Sequence, residues 1–416
     1  MQVRPSPSPG KRSYLALLAS ALIAGIGFGA TTPVQALYAK SLGATTTVAG
    51  LVVGVIGGAR ILGNIPSGLL SDRFGLRLVI ILGGLLRAVG AFLWSVSRGV
   101  SPLYVASLAV GFGGALRWTA CLTAIPAISP PGGRGRAMSG FLSCDLIGFG
   151  LGPVLGGFVA QRFGLNVPFL VSSFTELVAA AVILAWFAGP QRLKDPVTTP
   201  RPPAWAGASS LFRNPLFSAI AMLQFGYAFT AMAIVATLGP LIGTTRAGLD
   251  TSQLGAVMTA GSVFMLAAIS YAGKQLDRQR GRPTVLAGLL IASVALVMMC
   301  RSRSLVSFAA ALFPMMIGGG LIAPVPPAYA SGMAAGGRVA MTMGMLQTVG
   351  ECGYFSGPAL LGLMTDLAGG RFEPALLCSA GLLLVTGAFF GFATGGRSQA
   401  ATTGDRRRVK TPDSRT

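Results

Sequence analysis

Apolar runs of about twenty residues, each closed off by a short polar or glycine-rich break, follow one another along nearly the whole chain. They lie near 14–36, 46–66, 78–98, 102–127, 137–160, 167–188, 214–243, 252–273, 283–300, 304–328, 339–365 and 372–394. Helices of this length cross a bilayer at about 1.5 Å rise per residue. The pattern therefore predicts an all-α membrane protein with twelve transmembrane helices. The first run follows Lys11 and Arg12 as a signal peptide does, and Val34-Gln35-Ala36 is a passable cleavage site. It is nonetheless read as a span, because it is long enough to cross and its removal would break the count.

One stretch interrupts the rhythm. Residues 189–213 carry Pro190, Pro196, Pro200, Pro202 and Pro203 among charged side chains, a composition that stays in water. The expected organisation is a six-helix bundle over 1–188, a linker over 189–213, a second six-helix bundle over 214–394 and a disordered basic tail over 395–416. The bundles read as copies. Gly148, Gly152, Pro153 and Gly157 recur 205 positions later as Gly353, Gly357, Pro358 and Gly362. Gly68, Asp72 and Arg73 recur at the same offset as Gly273, Asp277 and Arg278. Two unlike motifs sharing one offset imply duplication, hence two halves related by a pseudo-two-fold axis.

Composition agrees, with 52% hydrophobic and 10% charged residues. A net charge of +21 would point to nucleic acid in a soluble chain, but here the cations fall at the edges of apolar runs and in the tail. They crowd one set of loops, including Arg73, Arg77, Arg134, Arg136, Arg278, Arg280 and the cluster Arg406, Arg407, Arg408. The expectation is an integral protein of a bacterial inner membrane with linker and both termini cytoplasmic. The bilayer is then its surroundings, no nucleic acid is a partner, and it is read as a monomer. Cys121, Cys144, Cys300, Cys352 and Cys378 show no metal-ligand spacing and are expected as free, buried thiols. Histidine is absent, and no P-loop lysine or zinc signature occurs, so no cofactor, metal or enzymatic activity is expected.

The segment Gly68-Leu69-Leu70-Ser71-Asp72-Arg73-Phe74-Gly75-Leu76-Arg77 resembles the signature loop of the major facilitator superfamily, with Leu76 where that family carries a basic residue. The counterpart from Gly273 keeps Asp277 and Arg278 but has one extra residue before Gly281. The resemblance implies a latch, with Asp72 and Arg73 holding the halves together on the cytoplasmic side of an outward-facing state, supported by Gly75 and Arg77. The plainer alternative is a loop that shapes a turn. The fifth run, with Gly140, Gly148, Gly152, Pro153, Gly156 and Gly157, is similar to the antiporter motif of the twelve-helix drug:proton exporters in that family. Small residues four apart let helices approach closely, and proline kinks the helix. Generic small-residue packing is the alternative. The arginine those exporters carry early in the fourth span is missing, since Ser107 stands four residues before Gly111, and Arg117 lies further along.

Arg60, Arg87, Arg117, Asp145, Glu176 and Glu351 fall inside expected spans. Each costs about 2.5–3.5 kcal/mol at a helix centre if unpaired. Depth pairs Arg117 with Asp145, roughly 12–15 Å from the cytoplasmic face, and Arg87 with Glu176 near mid-membrane, the latter read as structural. Glu351 has no basic neighbour in sequence. Glu351 and Asp145, with Arg117, are the proton-coupling candidates; each acid is alternatively a structural acceptor. The resemblance implies a cavity lined by the first, fourth, seventh and tenth spans, supplying Phe28, Trp118, Gln224, Tyr227 and Met315. Methionine and aromatics suit amphiphilic ligands. The expectation is proton-coupled efflux of lipophilic small molecules by alternating access. Uptake of an organic acid against Arg117 and a non-transporting sensor or scaffold are the alternatives.

Overall fold

The computed structural model describes residues 9–130, 133–188, 211–333 and 339–408, and every regular element among them is helical. The first half contains α1 (Pro9–Thr31), the short α2 (Gln35–Ser41), α3 (Thr46–Phe74), α4 (Leu76–Val96), α5 (Val100–Ile128), α6 (Arg134–Phe163) and α7 (Val167–Trp186). The second contains α8 (Pro215–Ala233), which runs through a π turn at Ile234–Leu238 into α9 (Gly239–Thr245), then α10 (Thr251–Asp277), α11 (Gly281–Met299) and α12 (Leu305–Ile322). It closes with α13 (Val325–Met333), α14 (Val339–Leu367) and α15 (Glu373–Arg408).

Among the described residues eleven helices are long and apolar enough to cross a membrane. The remaining expected span, α14, has 29 residues, and Gln347, Glu351 and Tyr354 lower its apolarity. Large apolar side chains such as Leu62, Phe174, Val306 and Phe392 stand on the outer surface, where a bilayer rather than water is the matching solvent.

The two halves repeat one packing scheme. In the first, α1 packs on α6 and α7, α4 on α5 and α7, and α3 on α5; in the second, α8 packs on α14 and α15, α11 on α12 and α15, and α10 on α12. Two main seams join the halves, α3 against α14 and α6 against α10, with smaller contacts of α2 and α3 on the π turn and of α2 on α9. They too are copies at the 205-residue offset. A Cβ on Gly50 would overlap the Pro358 carbonyl and one on Gly362 the Thr46 carbonyl; correspondingly, a Cβ on Gly255 would overlap the Pro153 carbonyl and one on Gly157 the Thr251 carbonyl. The glycine-proline repeat thus marks where backbone meets backbone across the halves.

These contacts lie toward the bundle end that holds the starts of α3 and α10, here the far end. At the near end, where α1 begins, no other described part of the protein lies within 4 Å of a Cβ added at Gly68, Gly273 or Gly344. Among the described residues the halves therefore meet at the far end and stand apart at the near end.

Several expectations change. The Gly68–Arg77 segment is no loop: Gly68, Asp72 and Arg73 belong to the last turns of α3, and Gly75 alone, at φ 85 and ψ 153, joins α3 to α4. In the second copy the extra residue places Gln279 at φ 59, left-handed backbone that a non-glycine residue rarely adopts. The helix α15 continues to Arg408 instead of giving way to a disordered tail at 395, consistent with the Ala, Gln and Arg residues there. Of the linker expected over 189–213, residues 189–210 lie outside the described residues, as do 409–416 of the tail. The cysteines are free, yet only Cys121 is buried; Cys352 and Cys378 are exposed on an apolar outer surface, where a small thiol meets lipid at little cost.

Candidate functional site

Five of the six charges within the spans form two groups. Glu351, on α14, is fully buried, and its Oε1 lies 2.9 Å from Arg60 Nε of α3. One turn earlier on the same face, Gln347 Nε2 donates to that Oε1 at 3.0 Å. Glu351 Oε2 has no hydrogen-bond partner among the described residues. Arg60 is 25% exposed, and Tyr354 and Phe355 pack beside it against Gly57 and Gly58. The basic partner that Glu351 lacks nearby in sequence is thus present in space. Its counter-charge comes from the other half, and the pair closes the α3–α14 seam at the level where the halves begin to part.

The second group lies inside the first half. Glu176 of α7, fully buried, has Oε1 3.0 Å from Arg87 Nη1 of α4 and Oε2 4.0 Å from Arg117 Nε of α5. Arg117 Nη2 donates to the Ser20 carbonyl at 2.8 Å and to its hydroxyl at 3.2 Å. The Arg87 guanidinium sits 4.7 Å from the centroid of the Phe28 ring. The expected Arg87–Glu176 pair is present. The expected Arg117–Asp145 pair is not: among the described residues no basic group lies within 4 Å of Asp145. Helix α5, which carries Arg117, packs chiefly on α3 and α4, whereas α6, which carries Asp145, packs chiefly on α1 and α10, so equal depth does not bring them together.

The cavity candidates are dispersed. Phe28 packs on Phe149 at 5.7 Å and Trp118 on Phe141 at 5.7 Å, both within the first half. Gln224 lies against Gly350. Tyr227 and Met315 share a gap of about 10 Å³ with Thr230, Ala292, Gly319 and Leu383, a packing defect inside the second half. Of the latch residues, Asp72 and Arg73 are exposed, with Arg73 over the Phe74 ring, and Gly273, Asp277 and Arg278 mirror them at the end of α10. Arg77 Nη2 donates to the Leu184 carbonyl, and its 205-offset equivalent Arg282 donates to that of Gly391 at 3.0 Å, so both tie helices within one half. In the antiporter-type motif, Gly148, Gly152 and Gly156 pack against the α1 backbone, and Gly353 and Gly357 against that of α8. The Val154 N–H, next to Pro153, donates to Thr259 Oγ1 of α10 at 3.0 Å. Sequence reasoning placed Arg60 inside a span but did not pair it with Glu351. Counting along antiparallel α3 and α14 from Thr46 and Asp366, a pair at the far end, places Arg60 level with Glu351.

A family model described as Major Facilitator Superfamily matches residues 17–278 and 225–413. An MFS-type transporter of Methanocaldococcus jannaschii is 25% identical over 351 residues, 83% of this chain and 89% of that protein. Multidrug resistance protein 2 of Bacillus subtilis is 24% identical over 366 residues, 86% of this chain and 90% of that one. Quinolone resistance protein NorA of Staphylococcus aureus is 24% identical over 352 residues, 82% and 87% of the two chains. In three dimensions the chain superposes on a bacterial homolog of the human lysosomal transporter Spinster, in its inward-facing, unoccupied conformation, with a TM-score of 0.78 at 16% identity, covering 93% of this chain and 97% of that one.

Proposed function

The chain belongs to the major facilitator superfamily and is a secondary transporter, and on that premise we propose that it exports lipophilic or amphiphilic small molecules in exchange for protons by alternating access. The observation that carries this reading is the Arg60–Glu351 pair, a buried carboxylate whose only counter-ion among the described residues belongs to the opposite half. With Oε2 open, Glu351 can take a proton without first losing a hydrogen bond. The proton removes the negative charge that holds Arg60, and the seam loses its innermost ion pair. Deprotonation restores it. Protonation of one carboxyl is thereby coupled to the relative placement of the halves, as exchange requires.

Export is supported by the drug-resistance names of distant relatives. The crowding of basic residues at the near end supports a cytoplasmic placement of that end, which makes the described conformation inward-facing. The exposed Asp72 and Arg73 then form a latch left open in this state. One feature favours a second reading: Arg87 and Arg117 share the single carboxylate of Glu176, an excess of positive charge that suits uptake of an organic acid.

The test uses inside-out vesicles with an imposed proton gradient and a panel of lipophilic cations and weak acids. Compound-driven proton efflux that Glu351→Gln abolishes is the expected result. Proton-linked movement of weak acids in the opposite direction selects the uptake reading, and a silent panel rejects both.

A further inference from the structure

The two inter-half seams end at the far end in the same contact made with different chemistry. In the α6–α10 seam, Gln161 Oε1 accepts from the Thr251 N–H at 3.3 Å and from Thr251 Oγ1 at 3.0 Å. The equivalent positions in the α3–α14 seam, 205 residues away, are Asp366 and Thr46. There Asp366 Oδ1 accepts from the Thr46 N–H at 3.1 Å, and Oδ2 accepts from the Thr47 N–H at 2.7 Å and Thr47 Oγ1 at 2.6 Å.

Thr46 and Thr47 open α3, so their N–H groups have no intrahelical acceptor. Thr45 Oγ1 satisfies the next donor, the Val48 N–H, at 3.3 Å. The acid from the other half completes the cap. A carboxylate suits this position better than an amide, since both oxygens accept and its charge faces the positive end of the α3 dipole. Donors and acceptor stand 320 and 319 residues apart in opposite halves, so this cap cannot survive separation of the halves at the far end.

We propose that Asp366 is a positioning residue for alternating access: it docks α14 on the start of α3 and sets how far the equilibrium lies toward far-end closure, with Gln161 as its weaker, uncharged counterpart. This rests on the reading of the chain as an alternating-access transporter, but its test needs no substrate or proton flux, so failure of the export reading leaves it decidable.

The experiment measures distances between spin labels by double electron–electron resonance on the full chain in lipid nanodiscs, with the five native cysteines replaced. Ser41→Cys with Leu367→Cys reports on the α3–α14 seam, and Arg162→Cys with Thr245→Cys on the other; all but Leu367 are polar, and all four are exposed. Asp366→Asn is expected to lower the closed-to-open ratio about tenfold, the scale of a lost charge-assisted contact, visible as a longer-distance population. Adding Gln161→Glu is expected to restore closure by placing the acid in the other seam. Thr47→Val, which keeps the acid but removes one donor, is expected to shift the ratio the same way by less, and it decides the matter if Asp366→Asn does not fold. Unaltered distances in both Asp366→Asn and Thr47→Val overturn the proposal, and so does an opening that Gln161→Glu leaves untouched.

Discussion

Arg60 and Glu351 sit on opposite halves of the molecule with their charged atoms 2.9 Å apart, one a quarter exposed and the other fully enclosed. A buried charge that loses its partner is costlier than a pair removed together. Glu351→Gln and Arg60→Gln are therefore expected to destabilise singly by more than the double substitution implies. A double-mutant cycle on thermal unfolding in detergent should return a coupling of about 1–3 kcal/mol. A coupling near zero would mean that the pair adds nothing to holding the seam.

Glu176 serves two guanidiniums, so its removal strands both. Glu176→Gln is expected to cost about 3–5 kcal/mol and to lower the unfolding temperature clearly. Asp145→Asn, at a half-buried position with no ion pair, should change stability by about 0.5 kcal/mol or less. If Asp145→Asn leaves the fold intact yet abolishes proton coupling, the coupling carboxylate is Asp145 and not Glu351.

The glycines of the two ends should respond differently. Gly50→Val and Gly255→Val drive a side chain into the Pro358 and Pro153 carbonyls and are expected to prevent far-end closure together, being equivalent positions. Gly68→Leu meets open space in this state and should leave folding unaffected. It is nevertheless expected to block transport, because the near end must close in the other state. Normal transport by Gly68→Leu would show that α3 is never approached there.

Burial pushes the Asp366 carboxyl upward, but the Thr47 hydroxyl and N–H, with bonds from Thr46 and Thr45, outweigh it and hold the group at about 2. Freed from those donors, an Asp titrates near 3.9 or so. Since the bound value is the lower one, the contact contributes fully above about pH 4 and fades as pH falls through about 2. With Glu351→Gln in the labelled chain, so that the proposed coupling carboxyl cannot contribute, far-end distances at the Ser41 and Leu367 labels are expected to stay constant from about pH 5 to about pH 8. A change within that window would assign far-end movement to another group.

The repeat at 205 residues was legible because duplication leaves glycine and proline in register, and the structure shows those residues as the contact points of both seams. The Arg87–Glu176 pair was legible from depth, since α4 and α7 are packed neighbours. Depth failed for Arg117 and Asp145 because it says nothing of which helices touch or which way a side chain faces around the axis. The pairing of Arg60 escaped notice for a related reason: its partner lies 291 positions away, across a seam that only the assembled halves define. Gly68–Arg77 read as a loop because polar residues in an apolar chain suggest an exit from the bilayer, yet a helix can emerge from lipid without ending.

A single residue, Gly75, connects α3 to α4, whereas Arg278, Gln279 and Arg280 intervene between α10 and α11. The first joint has no slack. When the tip of α3 is displaced, α4 must follow, and Arg77 carries the push on to α7. The longer joint leaves play between its two helices. The halves are thus mechanically unequal despite their shared ancestry: the first transmits a stroke as a stiff crank, and the second can absorb part of it.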